Sequence, residues 1–308
     1  MKISINLFDG AWSAMSTPLT LDGRVDADAL EKLVEHQLRL GIKGLFLGGT
    51  AGEGPFLSDG ERLRLVRLTV RFANGRLPIA FQITDNSAER MTENLLRYQD
   101  EGIDLAVIAP PFFQCNASQG FLLELYRRVI EASQVPVGIY NRGKYSSVLI
   151  EPETLGQILD HSKVVLVKDS ASQPDYKAAI LAAKQRRADA LAALCGDEFD
   201  CVGYLRDGYD GLLFGGGCFN GAYACEIHRL VRAGKPEEAQ ALQEHLVQVL
   251  RKIFGGKDLA CWLAGQKELM VRLGVFNTAK CLLNYSITPE CSRAIDEVLR
   301  DEHDWLFR

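Results

Sequence analysis

Short apolar runs recur along most of this chain, and polar or amphipathic stretches separate them. Eight of the runs have the length of a strand, namely residues 11–15, 44–47, 78–83, 105–109, 135–140, 164–167, 190–194 and 211–214. A strand that is buried on both faces of a parallel sheet reads as a continuous apolar run. The pattern therefore predicts eight buried parallel strands.

The stretches between the strands have the pattern of amphipathic helices. In residues 28–40 and again in residues 87–101, large apolar side chains recur at spacings of three and four. Serine residues precede several helical stretches and glycine residues follow several, as expected for helix caps. The serines are Ser58, Ser118 and Ser172, and the glycines are Gly41, Gly75 and Gly102.

Eight alternations of strand and helix favour an α/β fold of the (β/α)8 TIM-barrel type. An open doubly wound sheet is the alternative, but such a sheet usually has a glycine-rich phosphate loop after its first strand, where this chain has Ser16-Thr17-Pro18. After Ala233 the pattern is helical only, over residues 236–254, 258–273 and 289–301. We expect a catalytic barrel over residues 1–233 and a helical extension over residues 234–308, with a separate small domain as the alternative for the extension.

The composition and charge of the chain indicate what kind of molecule it binds. The chain has 308 residues, of which 47% are hydrophobic and 24% charged, with a formal net charge of −5. Its basic residues are scattered, which argues against nucleic acid or membrane partners and favours a small molecule. The eight cysteines lack the spacing of metal sites, so we expect free thiols, no metal and no cofactor. No leader or membrane-spanning segment is evident, so a cytoplasmic location is expected.

A single lysine closes the sixth apolar run, where Lys168 is followed by Asp169. Catalytic groups of a barrel enzyme lie at the carboxyl ends of its strands. Apolar surroundings lower the pKa of a lysine, and the neutral amine is a nucleophile toward carbonyl carbons. Lys168 is therefore a candidate for imine formation, and the alternative is an ordinary ion pair with Asp169.

Other strand ends carry candidate binding residues. The second strand leads into a glycine-rich loop in which Gly49, Thr50 and Ala51 offer backbone N–H groups and a hydroxyl to a carboxylate. Tyr140 ends the fifth strand and is suited to relaying protons. The remaining candidates are the pocket wall at Phe113 and the glycines Gly216 and Gly217, where substrate would lie against the main chain. Each of these features is also explained by ordinary packing or a flexible loop.

Several motifs in order and register resemble the dihydrodipicolinate synthase and N-acetylneuraminate lyase family. They are Thr17-Pro18, Gly49-Thr50-Ala51-Gly52-Glu53, Pro110-Pro111, Tyr140-Asn141 and Val167-Lys168-Asp169, and the resemblance runs from about Ala11 to Leu283. It implies a class I lyase acting on pyruvate or another 2-keto acid, usually a homotetramer, with a homodimer as the alternative. By this resemblance Lys168 forms the imine, Tyr140 moves protons, and Thr50 with the backbone of Ala51 holds the substrate carboxylate.

Departures from the synthase pattern bear on the substrate. Phenylalanines replace the tyrosines at Phe112-Phe113, and a phenyl ring cannot donate a proton. Tyr145 stands where the pattern places an arginine that holds the second substrate, so Arg142 or Lys144 would have to replace it. These departures argue against condensation of pyruvate with aspartate semialdehyde. Gly54-Pro55 and Gly217-Cys218-Phe219-Asn220 resemble relatives that cleave or dehydrate 2-keto-3-deoxy sugar acids, so that reaction is favoured by the resemblance. A barrel that binds a keto acid without catalysis is the third possibility.

Overall fold

Eight parallel strands pair in chain order and close into a barrel. The computed structural model describes residues 5–114 and 117–307, apart from the side chain of Asp189. The strands are β1 Ala11–Ala14, β2 Leu45–Leu47, β3 Ile79–Gln82, β4 Leu105–Ile108, β5 Val137–Asn141, β6 Val164–Asp169, β7 Ala192–Cys195 and β8 Gly211–Phe214. The predicted (β/α)8 barrel is confirmed, and the open-sheet alternative is wrong because β8 pairs with β1.

Helices connect the strands and continue beyond the barrel. The helices of the barrel are α1 Ala27–Arg39, α2 Asp59–Ala73, α3 Ala88–Gln99, α4 Gln119–Ala132, α5 Pro152–Leu159, α6 Pro174–Arg187, α7 Cys201–Arg206 and α8 Gly217–Arg232. The extension contains α9 Pro236–Phe254, α10 Trp262–Arg272, α11 Pro289–Asp301 and α12 His303–Leu306. Because α9 packs on α8 while α10 and α11 pack on α9, the extension is layered onto the last barrel helix.

Most of the predicted caps occur where the sequence places them. Ser58 accepts a hydrogen bond from the Glu61 N–H, and Ser118 accepts one from the Phe121 N–H. Gly41, Gly75 and Gly102 all have positive φ, as helix-ending glycines do.

Two predicted helix starts differ from the structure. Gln173 rather than Ser172 occupies the cap position of α6, because the Ser172 hydroxyl donates to Asp197 at 2.6 Å instead. The helix predicted from residue 258 starts at Trp262, because the chain first turns through Gly255, Gly256 and Leu259, which all have positive φ.

The apolar residues form two layers. The inner layer fills the barrel and includes Trp12, Phe46 and Leu166, while a larger layer lies between the strands and the surrounding helices. Alternate residues of a strand point to opposite faces, so Leu166 and Lys168 share the inner face of β6. The sheet thus turns Lys168 toward the barrel axis.

Other predictions from the sequence concern the cysteines, membrane-spanning helices and the boundary of the barrel. The seven described cysteines are free thiols, and the eighth, Cys115, lies outside the described residues. Within residues 5–114 and 117–307, no helix is both long and apolar enough to cross a bilayer. The division into a barrel unit and an extension unit at residue 233 stays a prediction.

Candidate active site

Lys168 lies near the carboxyl end of β6, inside the barrel. Its side chain is 5% exposed, and its Nζ lies 4.4 Å from the ring centre of Tyr140 and 5.2 Å from that of Phe46. Burial lowers the pKa of the Lys168 amine, although Tyr140 and Glu198 act to raise it. A lowered pKa increases the fraction of neutral amine, which is the form that attacks a carbonyl.

Tyr140 faces Lys168 from the neighbouring strand, since the two residues are register partners between β5 and β6. The Tyr140 hydroxyl lies 3.5 Å from Thr50 Oγ1, and its ring meets the Phe46 ring edge to face. Burial acts to raise the pKa of Tyr140, but the charge of Lys168 and the contact with Thr50 outweigh it and lower that pKa. An amine and a phenol with lowered pKa values are suited to exchanging one proton.

The loop after β2 brings Thr50 and Ala51 to the same place. The loop is tightly folded, because a Cβ added to Gly54 would lie 2.0 Å from the Gly48 carbonyl oxygen. Glu53 has a φ of 55° and is fully buried. Its carboxylate pairs with Lys267 at 2.5 Å and accepts hydrogen bonds from backbone N–H groups of the extension. Glu53 therefore anchors the loop, and its charge is used there rather than on substrate.

A cavity of about 430 Å³ opens in front of Lys168. It brings together five of the predicted site residues, namely Lys168, Tyr140, Thr50, Ala51 and Arg142. Arg142 makes no ion pair with any described residue, so its charge is free to meet a substrate anion. Lys144 does not line the cavity and stacks on the ring of Tyr145 instead.

Four predicted binding residues are not among those that line this cavity. Phe113 is 67% exposed, and its N–H donates to Asn86, which leaves the ring outside. Gly49 packs against the Phe46 ring, and Gly217 packs against Ser13. Gly216 lies behind the carboxylate of Glu198, and Gly215 is the glycine of this segment that reaches the cavity.

A second cavity of about 420 Å³ adjoins the first. Thr50, Arg142, Trp262 and Tyr285 line both of them. The second cavity is walled by proline and aromatic side chains, which include the predicted pair Pro110-Pro111 and the ring of Phe112. The space beyond Arg142 therefore combines these apolar walls with the polar side chains of Gln82, Ser146 and Ser147.

Two acidic residues that follow β7 belong to the site but were not predicted from the sequence. Asp197 and Glu198 both line the cavity of Lys168. Glu198 is 7% exposed and accepts hydrogen bonds from the Gly216 N–H and from Asn220 Nδ2. Burial raises the pKa of Glu198 to about 7, although these hydrogen bonds and the charge of Lys168 act to lower it. The strand-end rule that selects Lys168 also selects these residues, so the signal was present.

The extension also supplies parts of the site. Trp262, at the start of α10, and Tyr285, in the segment after α10, cover the cavity from outside the barrel. No sequence pattern marks these two aromatic residues as part of the site, because their position depends on how the extension packs. The cavity is therefore complete only with the extension in place.

Asp169 does not line the cavity, although it follows Lys168 directly. Its carboxylate accepts hydrogen bonds from Asn141, from the Ala171 N–H and from the Tyr209 hydroxyl. These contacts tie the ends of β5 and β6 together behind the site. Burial raises the pKa of Asp169, while the same hydrogen bonds act to lower it.

Comparison with known proteins shows the family of this chain. Residues 7–291 match the dihydrodipicolinate synthetase family. The 4-hydroxy-tetrahydrodipicolinate synthase of Rhizobium meliloti is 29% identical over 298 residues, which is 96% of this chain and 98% of that protein. The corresponding synthase of Gluconobacter oxydans is 27% identical over 295 residues, covering 96% and 97% of the two chains.

A solved structure shows the same architecture. The dihydrodipicolinate synthase of Bacteroides thetaiotaomicron superposes with a TM-score of 0.86 at 26% identity, covering 96% of this chain and 98% of that one. The match therefore includes the barrel and the helical extension that covers the cavity. The chain belongs to the dihydrodipicolinate synthetase family, and it is a lyase.

Proposed function

We propose that Lys168 forms an imine with the C2 carbonyl of pyruvate or of a longer 2-keto acid. The buried amine, with its lowered pKa, is the observation that supports this role. Loss of water from the first adduct gives an iminium group, which withdraws electrons from the bond at C3. A carbanion at C3 is then stabilised as an enamine. The covalent bond to Lys168 thereby allows a bond to C3 to be formed or broken.

We assign the keto-acid carboxylate to the loop after β2. Thr50 offers a hydroxyl and Ala51 a backbone N–H at the cavity wall close to Tyr140. Hydrogen bonds from such groups to a carboxylate are charge-assisted and hold its orientation. With the carboxylate fixed there, C2 lies between Lys168 and Tyr140, and Tyr140 is placed to move protons to and from the imine.

The rest of the cavity favours a hydroxylated substrate. Beyond Lys168, the wall is formed by Ser170, Ser172, Asp197 and Glu198. Carboxylate and hydroxyl oxygens accept hydrogen bonds from sugar hydroxyls, whereas two carboxylates disfavour a second anionic group nearby. This acidic, polar wall is the observation that carries the choice. The preferred reaction is cleavage between C3 and C4 of a 2-keto-3-deoxy acid that bears a hydroxyl at C4.

One observation favours a second candidate, the condensation of pyruvate with aspartate semialdehyde. The relatives from Rhizobium meliloti and Gluconobacter oxydans carry the name of that synthase. Arg142 lines both cavities and has no ion-pair partner among the described residues, so it offers a cation for the second carboxylate. Tyr145, which stands where an arginine is expected for this role, is 58% exposed and offers only a phenol.

Borohydride reduction tests the imine, and product assays separate the two reactions. Incubation with pyruvate and borohydride is expected to add the mass of a reduced pyruvate adduct to the peptide that contains Lys168. Pyruvate release from 2-keto-3-deoxygluconate is then compared with condensation of pyruvate and aspartate semialdehyde. Absence of any adduct would support a barrel that binds keto acids without catalysis. Condensation without cleavage would make the synthase the correct assignment.

Replacement of Tyr140 by phenylalanine removes the phenol that faces the amine. We expect kcat to fall roughly 10²- to 10⁴-fold, the usual contribution of a positioned acid or base. The ring contacts with Phe46 and Lys168 remain, so pyruvate trapping at Lys168 should persist, although more slowly. Tyr126→Phe is the matched control, because that tyrosine is buried in the outer layer, away from the cavity. Equal losses in the two variants would contradict the proton-transfer role.

We also propose a homo-oligomer, either a homotetramer or a homodimer. Large apolar side chains are exposed on the segments that follow β2, β4 and β5, among them Phe56, Phe113 and Tyr145. Contact with a second copy would bury this surface. A cytoplasmic location is proposed as well, and the seven free thiols of the described residues support a reducing compartment.

A further inference from the structure

We propose that Glu198 is the base that removes the proton of the C4 hydroxyl when the imine-bound substrate is cleaved. This inference rests on the proposed function at Lys168 and assigns a second proton-transfer group to it. Neither the sequence motifs nor the family resemblance pointed to Glu198. The inference depends on the position of Glu198 in the cavity and on the way the carboxylate is held.

The carboxylate of Glu198 is fixed from one side. The Gly216 N–H donates to both of its oxygens, at 3.0 and 3.1 Å, and Asn220 Nδ2 donates to Oε2 at 2.6 Å. A Cβ added to Gly216 would lie 2.6 Å from Oε2, so only glycine permits this approach. Because the donors come from the β8–α8 junction, the carboxylate is held against the cavity wall that includes Gly215.

Asn220 is suited to both protonation states of Glu198. Its Nδ2 donates to the carboxylate, while its Oδ1 is buried and has no hydrogen-bond partner among the described residues. After the carboxylate takes up a proton, rotation of the amide presents Oδ1 to the new hydroxyl group. A buried acid that changes protonation during turnover needs such a partner, because an unsatisfied polar group is costly in the interior.

The charged and titratable groups around Glu198 lie on several elements. They are Lys168 on β6, Asp197 on the same loop, Cys201 on α7 and Cys218 on α8. Burial raises the pKa of both thiols, and that of Cys218 reaches about 12, so the thiols stay neutral at ordinary pH. Since the pKa of Glu198 is about 7, a substantial fraction is an effective base at neutral pH.

Cleavage begins at the C4 hydroxyl of the imine-bound substrate. Glu198 takes the proton from the C4 hydroxyl, the C4–O bond becomes a carbonyl, and the C3–C4 electron pair moves into the enamine while the iminium nitrogen becomes neutral. The aldehyde leaves, and Tyr140 donates a proton to C3. Glu198 then releases its proton to solvent and Tyr140 takes one from solvent, so both groups return to their starting states. Water, which was released when the imine formed, is taken up again to free pyruvate and Lys168. No oxidant or reductant is needed.

Of the four other acidic or phenolic residues that line the cavity, Tyr145 and Tyr285 are exposed, and Tyr140 and Asp197 are less suited to the C4 hydroxyl. Tyr140 lies beside Thr50 and the amine, at the end of the cavity assigned to C1 to C3. Asp197 accepts hydrogen bonds from the Ser172 hydroxyl and the Phe199 N–H, which hold its two oxygens in the loop. Among the described residues that line this cavity, none is a histidine.

Glu198→Gln tests the proposal, since it removes the base and keeps a similar shape. We expect cleavage of 2-keto-3-deoxygluconate to fall roughly 10²- to 10³-fold in kcat. Borohydride trapping with pyruvate and exchange of the pyruvate methyl protons in D2O should stay within about threefold of the wild type, because neither step involves a C4 hydroxyl. Loss of trapping as well would show a collapsed site, and Glu198→Asp, which keeps a carboxylate, should then restore trapping and part of the cleavage.

The pH profile separates a base from a group that only binds hydroxyls. The wild-type kcat/KM should rise with pH through about 7, because the deprotonated form is active, and Glu198→Gln should abolish this limb. Asn220→Ala removes a donor to the carboxylate and should move the limb to higher pH. Asp197→Asn should raise KM and, because it removes a like charge that raises the pKa of Glu198, should move the limb to lower pH rather than abolish it.

Three outcomes would overturn the proposal. The first is an unchanged pH profile in Glu198→Gln. The second is a kcat/KM that falls as pH rises through about 7, together with release of a dehydrated keto acid. Glu198 would then act by donating its proton. The third is a wild-type enzyme that forms the pyruvate imine and cleaves no 4-hydroxy-2-keto acid. Failure of trapping in the wild type would instead remove the proposed function itself.

Discussion

Replacing Lys168 with alanine is expected to lower kcat/KM by about 10⁴-fold or more, because the mechanism has no other group that bonds to the substrate. The side chain is buried beside Tyr140 and Phe46, so the substitution leaves a small cavity and exposes no charged group. We expect the variant to fold and to give no adduct with pyruvate and borohydride. The measurements are steady-state kinetics and mass spectrometry of the intact protein.

Two further variants test whether the loss of activity is specific to the Lys168 amine. Lys168→Arg keeps a positive charge near Tyr140 but cannot form the imine, so it should be as inactive as the alanine variant. Lys252→Ala removes a lysine that pairs with Glu297 on the exterior and should retain both activity and trapping. Turnover within tenfold of the wild type in Lys168→Ala would rule out covalent catalysis at this residue.

Replacing Lys267 with methionine is expected to lower the free energy of unfolding by about 3–5 kcal/mol. Lys267 and Glu53 are both fully buried, and their charges lie 2.5 Å apart. Lys267 Nζ also donates to the Lys280 carbonyl oxygen at 2.7 Å. Removal of the lysine leaves the Glu53 carboxylate buried without a counter-charge, and only backbone N–H donors remain to stabilise it. The measurement is denaturant unfolding at one fixed protein concentration.

A double-mutant cycle separates the pair from the loss of packing. Glu53→Gln combined with Lys267→Met should cost less than the sum of the single changes, because no uncompensated charge remains. Arg67→Met is the control, since Arg67 pairs with Glu101 on the surface and its loss should leave stability nearly unchanged. Additive losses in the cycle would show that the two charges do not stabilise each other.

The barrel was predictable because its signal is local. Each strand is a short apolar run, and Ser58, Gly41 and Gly102 mark helix ends through contacts within one or two turns. The predicted starts at Ser172 and residue 258 were wrong because tertiary contacts or positive-φ turns decide them. Local patterns carry no information about such contacts.

The candidate site was predictable in part. Lys168, Tyr140 and Thr50 lie at strand ends, and a closed barrel brings strand ends to one face whatever the details of packing. Phe113 does not line the cavity of the single chain, where it is 67% exposed, so its contact with substrate stays a prediction. Gly216 and Gly217 were expected to meet substrate, yet one supports Glu198 and the other packs on Ser13.

The sequence by itself determined the barrel, its helical extension, the family and the strand-end position of the amine, because periodicity and ordered motifs are properties of the chain. Only the tertiary structure decided the surroundings of Lys168. Residues that are distant along the chain come together at three points of the site. Trp262 and Tyr285 cover the cavity, Glu198 becomes buried, and Lys267 anchors Glu53. Burial inside the barrel sets the pKa values of Lys168 and Glu198, and packing of the extension on the barrel completes the wall of the cavity.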